Sequence, residues 1–168
     1  EEMDEEQVRD EVVTLMLAGH ETSSMALAWT LFLLAQHPEI ADRLAEELDQ
    51  TLAGRPAGHK DLNSVPYLKQ VVQESMRIYP PVWAIGRRSQ QAEVFGDYEI
   101  PAQSYIAIVP YALHRHPEFW PDPERFDPDR FQPNPNESRH SYCYLPFAAG
   151  PRACIGLGMA MLEIQLVL

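Results

Sequence analysis

Residues 6–36 contain no proline and a single glycine, Gly19, so nothing in that stretch stops one long helix. Its apolar part, 12–35, has the length to cross a bilayer. His20, Glu21, Thr22, Ser23 and Ser24 sit near the middle, however, where charged and polar groups are costly in lipid. The stretch therefore reads as a buried helix of a soluble protein, around which the rest must pack. Pro38 ends it and suits the first turn of a second helix, 38–52, which Gly54 closes. That helix, "PEIADRLAEELDQTL", is amphipathic, with a solvated face over a core stripe. A third helix over 66–78 follows the cap-like "DLNS" and ends at "YPP". "AEVFGDYEI" then reads as two short strands around Gly96-Asp97, and "SYIAIVP" as a third, in a small β region over 82–109. The Pro-rich stretch 117–135 spaces Phe119, Trp120, Phe126 and Phe131 too regularly for a simple linker. The expected class is mainly α with a small β-sheet, as one unit over 1–168.

At 168 residues the chain is about one domain's worth, long enough to bury a sizeable core. Apolar residues make up 45% and charged residues 23%, away from the composition that keeps chains disordered. A net charge of -12 argues against nucleic acid or an anionic membrane as the main partner, since either would need a basic stripe. Two cysteines, Cys143 and Cys154, are too few for a disulfide scaffold and form no Cys-x-x-Cys zinc pattern, which fits a reducing compartment. The sequence opens without an initiator Met and stops inside the amphipathic run "LEIQLVL", so it is expected to be a piece of a longer chain.

The chemistry centres on "PFAAGPRACIGLGMAMLE", residues 146–163. Gly150 and Gly156 permit backbone conformations that a Cβ disfavours, so the loop can turn its amides toward the Cys154 sulfur. Ile155 is expected to open a helix whose N-terminal dipole favours an anion, and such a setting favours a thiolate. A buried cysteine acting as a small hydrophobe is the commoner case, but it needs neither flanking glycines nor Arg152 nearby. A cysteine nucleophile needs a His base that sequence cannot locate, whereas a thiolate ligand to iron needs only burial and amide donors.

Phe147-x-x-Gly150-x-Arg152-x-Cys154-x-Gly156 resembles the haem-binding loop of the cytochrome P450 monooxygenases. Three further motifs follow that family's order. "AGHET", Ala18 to Thr22, is similar to its oxygen-activating segment: Ala18 and Gly19 remove bulk, while Glu21 and Thr22 bring an acid and a hydroxyl into an apolar helix. Cleaving an O–O bond requires protons, which an acid and an alcohol with ordered water can relay. By itself "AGHET" also fits a helix kinked at Gly19 with Thr22 bonded back to its own backbone. Glu74-x-x-Arg77 resembles the family's Glu-x-x-Arg pair, which is buried and joined by an arginine of the Pro-rich segment. "PERF" supplies Arg125 for that structural brace. "RIYPPVWAIGRR" resembles the segment that lines the substrate pocket and ends in an arginine on a haem propionate. The match is Arg87, with Arg88 the fallback, and Arg152 is the second propionate candidate because a guanidinium fork suits a carboxylate.

The resemblance implies a P450-like fold, present as the C-terminal part of a domain more than twice as long. It implies a monooxygenase that inserts one atom of O2 into an apolar substrate, with haem b as cofactor and Cys154 as the axial iron ligand. Glu21 and Thr22 would handle protons, and Leu15, Ala18, Gly19, Val82, Trp83, Ala84 and Ile85 would wall the pocket. Electrons from NAD(P)H would arrive through a ferredoxin or flavoprotein reductase, with Lys69 and Arg139 as contacts. A bacterial member would be cytoplasmic, and an N-terminal anchor would lie outside this sequence. His114 is expected to pack or hydrogen-bond in the scaffold. Two departures stand out: Ala148 where many members have glycine, and Ala102-Gln103 in place of a Pro-x-Gly turn. Rival readings are a peroxide-using or isomerising haem-thiolate enzyme, which tends to lack the Glu21–Thr22 pair, and a non-catalytic fragment.

Overall fold

The computed structural model describes residues 3–134 and 139–168. Helix α1 runs Glu5–Gln36, opened by a capping box in which Asp4 accepts from the Gln7 amide (2.8 Å) and Gln7 Oε1 accepts from the Asp4 amide (3.1 Å). Its buried residues are Ser23, Ala26, Thr30 and Leu33, a 3-4-3 spacing that forms one narrow stripe. Residues 3–21 are exposed, so only the second half of α1 packs within the described chain. Pro38 starts α2, Pro38–Leu52, whose buried Ile40 and Leu44 turn toward the core.

Helix α3, Pro66–Ile78, is the centre of the molecule, with ten of its residues buried. Its faces separate by helical spacing. Leu68, Val71 and Ile78 join Leu33, Ile40, Leu44 and Phe126 in one cluster. Val72 and Met76 join Ala26 of α1 and Ile164 of α5, Leu157–Val167, in a second. Gln70, Glu74 and Arg77, spaced 4 and 3, form the third face. Each fully buried Leu, Val or Met contributes roughly 1.5–3 kcal/mol relative to exposure, so α3 is the element the others cannot do without.

The start of α3 differs from expectation. "DLNS" does not cap it: His59–Ser64 forms a 3-10 turn, and the N-cap is Val65 with no side-chain bond. Glu47 of α2 supplies the missing acceptor, its two carboxylate oxygens taking the amides of Tyr67 (3.1 Å) and Leu68 (3.2 Å). A carboxylate reaching across from a packed helix satisfies the same donors that a local Ser or Asn would.

The β structure is two separate antiparallel pairs. β1, Ile85–Arg88, pairs with β4, Tyr105–Ile108, and β2, Glu93–Phe95, pairs with β3, Tyr98–Ile100, around Gly96-Asp97. Short helix α4, Pro110–Leu113, follows β4. The Pro-rich stretch wraps the third face of α3, with Trp120 and Phe126 buried. Its last residue, Pro135, lies outside the described residues. Among the described residues no helix is long and apolar enough to cross a membrane.

Candidate functional site

The loop that carries Cys154 is built from its own backbone. The Cys154 amide donates to the Phe147 carbonyl (2.9 Å), Ala153 to Gly150 (3.0 Å) and Ala148 to Leu145 (3.3 Å). Ala148 (φ 59°) and Gly150 (φ 70°) both adopt the left-handed region that makes this reversal possible. Phe147 packs against the cluster of Ala26, Val72, Met76 and Ile164, which fastens the loop to α1, α3 and α5 at once. Gly156 does not behave as expected. Its φ of -85° is open to any residue, and a Cβ there would stand 3.8 Å from Cys154 Sγ, an ordinary contact. Helix α5 begins at Leu157, two residues later than Ile155, so the exposed Cys154 precedes the helix by three positions.

A cleft of about 390 Å³ opens between β1, β4 and this loop, lined by Ile85, Arg87, Leu145, Ala148, Gly150 and Arg152 among others. Two guanidinium groups far apart in sequence thus share one apolar-walled recess. The period of two along β1 sends Arg87 to the same side as Ile85 and Arg88 to the other. Arg88 Nε is occupied by the Gln103 carbonyl (3.3 Å). Among the described residues Arg87 donates only to the neighbouring Gly86 carbonyl (2.8 Å), and it lines the recess, where its fork suits a carboxylate. An exposed thiol on a tight loop that lines a recess with Arg87 and Arg152 fits a flat, dianionic, iron-bearing macrocycle such as haem.

On α1, Thr22 Oγ1 donates to the Ala18 carbonyl (2.7 Å), and Glu21 is exposed. A Cβ on Gly19 would meet nothing within 4 Å, so within the described residues no packing demands that glycine. Leu15, Val82 and Trp83 are exposed and Ala84 and Ile85 half-buried. Of these only Ile85 lines the cleft.

The brace is present with one member exchanged. Glu74 and Arg77 form a fork, Nε to Oε2 at 2.7 Å and Nη2 to Oε1 at 2.9 Å. Burial raises the Glu74 carboxyl above the ordinary carboxylate range, and Arg77 pulls against that shift. Arg125 does not reach it. Its side chain is 69% exposed and stands 3.9 Å from Asp127, and only its backbone carbonyl accepts from Arg77 Nη2 (3.2 Å). Arg130 takes the role: its side chain is 12% exposed, and Nε lies 3.4 Å from Glu74 Oε1. Pro123-Glu124-Arg125-Phe126 and Pro128-Asp129-Arg130-Phe131 are tandem copies of one pattern. The 3-10 turn at Pro128–Phe131 turns the second copy inward. The tandem repeat itself was the signal that a second arginine competed for the position.

Arg139 is likewise not a free surface cation. Its guanidinium lies 4.3 Å over the Trp120 ring and donates to the Arg130 carbonyl (2.5 Å), whereas Lys69 is exposed. His114 is fully buried, and burial pushes it down to about 4. It is therefore neutral at physiological pH, and its Nε2 accepts from the Leu145 amide (2.8 Å).

The sequence profile of the cytochrome P450 family matches residues 1–168, and the chain belongs to that family. The fold agrees: the heme domain of cytochrome P450DA superposes with a TM-score of 0.93 at 34% identity, covering 99% of this chain and 37% of that one. Cytochrome P450 4V2 of Mus musculus is 41% identical over 99% of this chain and 32% of its own length. Cytochrome P450 4c3 of Drosophila melanogaster is 42% identical over 97% of this chain and 31% of its own length. The chain thus spans about a third of the relatives it matches.

Proposed function

We propose that this chain is the C-terminal part of a haem-thiolate monooxygenase acting on an apolar organic substrate. The observation that carries the reading is the shared recess of Arg87, Arg152 and the loop that presents Cys154. In this reading Cys154 would ligate the iron through its thiolate, Arg87 and Arg152 would hold the two propionates, and Phe147 and Gly150 shape the loop around the sulfur with Gly156 beside it. Ala18 and Gly19 carry little bulk and would leave room for the group. Haem b, when bound, supplies the activation of O2 from which one oxygen atom enters the substrate while the other leaves as water. The chain's own residues supply the surroundings. A thiolate at Sγ is a strongly donating ligand. Thr22, whose hydroxyl rests on the Ala18 carbonyl, can turn its proton outward, and the exposed Glu21 carboxyl can exchange protons with water beside it. Val82, Trp83, Ala84, Ile85 and Leu15 offer apolar surface to a hydrophobic substrate. Electrons would come from NAD(P)H through a ferredoxin or a flavoprotein reductase, with the exposed Lys69 as a contact.

The test uses the full-length parent chain. After reduction, carbon monoxide is expected to produce a thiolate-type Soret band that Cys154→Ala abolishes, and an unshifted band in the wild type would overturn the reading. Thr22→Ala is expected to uncouple NAD(P)H consumption from product. Unchanged coupling would instead favour the peroxide-using or isomerising alternative.

A further inference from the structure

Hydrogen bonds to described residues outside it hold the root of the cofactor loop, 143–146. Trp120 Nε1 donates to the Cys143 carbonyl (3.4 Å), Tyr144 Oη to the Gln73 carbonyl (2.8 Å), and the Leu145 amide to His114 Nε2 (2.8 Å). The third comes from a residue that is also hydrogen-bonded to the brace: the His114 carbonyl accepts from Arg77 Nη1 (2.8 Å), whereas Trp120 meets Arg77 through its ring face (5.2 Å). Its ring lies 5.1 Å from that of Tyr144, and no part of the residue reaches solvent. An amide can only donate, so Nε2 carries no proton and the ring proton sits on Nδ1. Pro146 has no amide hydrogen, which makes Leu145 the last donor before the loop reversal. Leu145 is also a wall of the cleft shared with Arg87 and Arg152.

We propose that His114 is a positioning residue that ties the cofactor loop to the buried Glu74–Arg77 pair and so holds Cys154 and Arg152 in register with Arg87. This rests on the reading of Cys154 as the haem ligand. A residue that merely filled space would need bulk alone. This one needs an acceptor at the far end of its ring, because a neutral acceptor buried opposite an amide costs little while an orphaned amide costs much. Glutamine carries its amide oxygen at about the reach of Nε2, whereas asparagine falls one bond short.

The experiment compares full-length, haem-loaded wild type, His114→Gln and His114→Asn. It follows the time over which the reduced, carbon monoxide-bound form keeps its thiolate-type band. His114→Asn is expected to lose the band at least about tenfold faster than wild type, as one lost buried hydrogen bond implies. His114→Gln is expected to stay close to wild type. Equal lifetimes for wild type and Asn, or a Gln variant as short-lived as Asn, would overturn the proposal. Should neither variant accumulate folded, amide exchange on the wild type decides: the Leu145 amide is expected to be protected together with the amides of α3, and exchange at the rate of exposed loop amides would overturn the bond. A wild type without the thiolate-type band strikes the haem reading, and this proposal with it. Equal variants beneath a normal wild-type band strike His114 alone.

Discussion

Glu74 and Arg77 meet as a two-point fork with no exposure of either side chain, and Arg77 also donates to the carbonyls of His114 and Arg125. Four hydrogen bonds thus leave one planar group in directions that only a guanidinium supplies. Arg77→Lys keeps the charge but not the fork, and is expected to lower the unfolding free energy of the parent chain by at least about 2 kcal/mol in denaturant titration. A lysine variant as stable as wild type would show that charge alone suffices.

Arg130 and Arg125 occupy the same place in two copies of one tetrapeptide pattern, yet only Arg130 stands beside Glu74. Arg130→Ala removes a cation from a buried carboxylate and is expected to cost about 3 kcal/mol, the low end for breaking a buried pair. Arg125→Ala keeps the carbonyl that Arg77 uses and is expected to stay within about 0.5 kcal/mol of wild type. The ratio of the two losses, read from unfolding midpoints, separates the copies.

Both departures from the family pattern fall at left-handed backbone positions, Ala148 at φ 59° and Gln103 at φ 63°. A residue with a Cβ in that region costs about 1–2 kcal/mol, partly offset by the greater freedom glycine has when unfolded. Ala148→Gly and Gln103→Gly are each expected to raise stability by about 0.5 kcal/mol. Gly150→Ala, at φ 70°, is expected to lower it by about 1 kcal/mol. Thermal melts of the three variants check the opposite signs.

His114 titrates near 4 when folded, below its ordinary 6.5, because burial disfavours the imidazolium and the Arg77 and Arg115 charges add to that. The unfolded state therefore binds the extra proton first. The stability that neutral His114 contributes is complete above about pH 6.5 and is lost as pH falls toward 4, amounting to about 3 kcal/mol. Unfolding free energies measured across that window are expected to decline in wild type and to flatten in His114→Gln.

Thr30 of α1 and Ser75 of α3 place their hydroxyl oxygens 2.9 Å apart in an otherwise apolar seam, and Thr30 also bonds the Ala26 carbonyl. Thr30→Val takes away the Ser75 hydroxyl's partner and is expected to cost about 1–2 kcal/mol, whereas Ser75→Ala leaves Thr30 bonded to the Ala26 carbonyl and is expected to cost about 0.5–1 kcal/mol. The double variant is expected to cost less than the sum by about 1 kcal/mol in a double-mutant cycle. Strict additivity would mean that the pair does not interact.

Much of this protein was legible because its information is local. Pro38 marks the end of α1 and the start of α2, the i,i+3 interval brings Glu74 and Arg77 to one face, and the "VFGDYE" turn makes a hairpin, each within a few residues of chain. The loop around Cys154 is also local, since the Phe147 carbonyl and Cys154 amide that close it belong to one short reversal over 147–154. What could not be read is partner choice across distance. Two "P-x-R-F" copies are chemically alike, and only the inward turn at Pro128–Phe131 selects Arg130. "DLNS" has cap chemistry, yet Glu47 arrives from another helix with two better-placed oxygens.

The sequence by itself therefore determined α1 to α3, the hairpin, the reversal at the cysteine loop and the fork of Glu74 with Arg77, because covalent spacing alone brings those atoms together. Tertiary structure decided that Arg87 and Arg152 share a recess, that Arg139 is spent on Trp120, and that His114 joins the brace to the loop. Those pairings depend on which surfaces pack, and packing is a property of the whole chain in three dimensions rather than of any stretch of it.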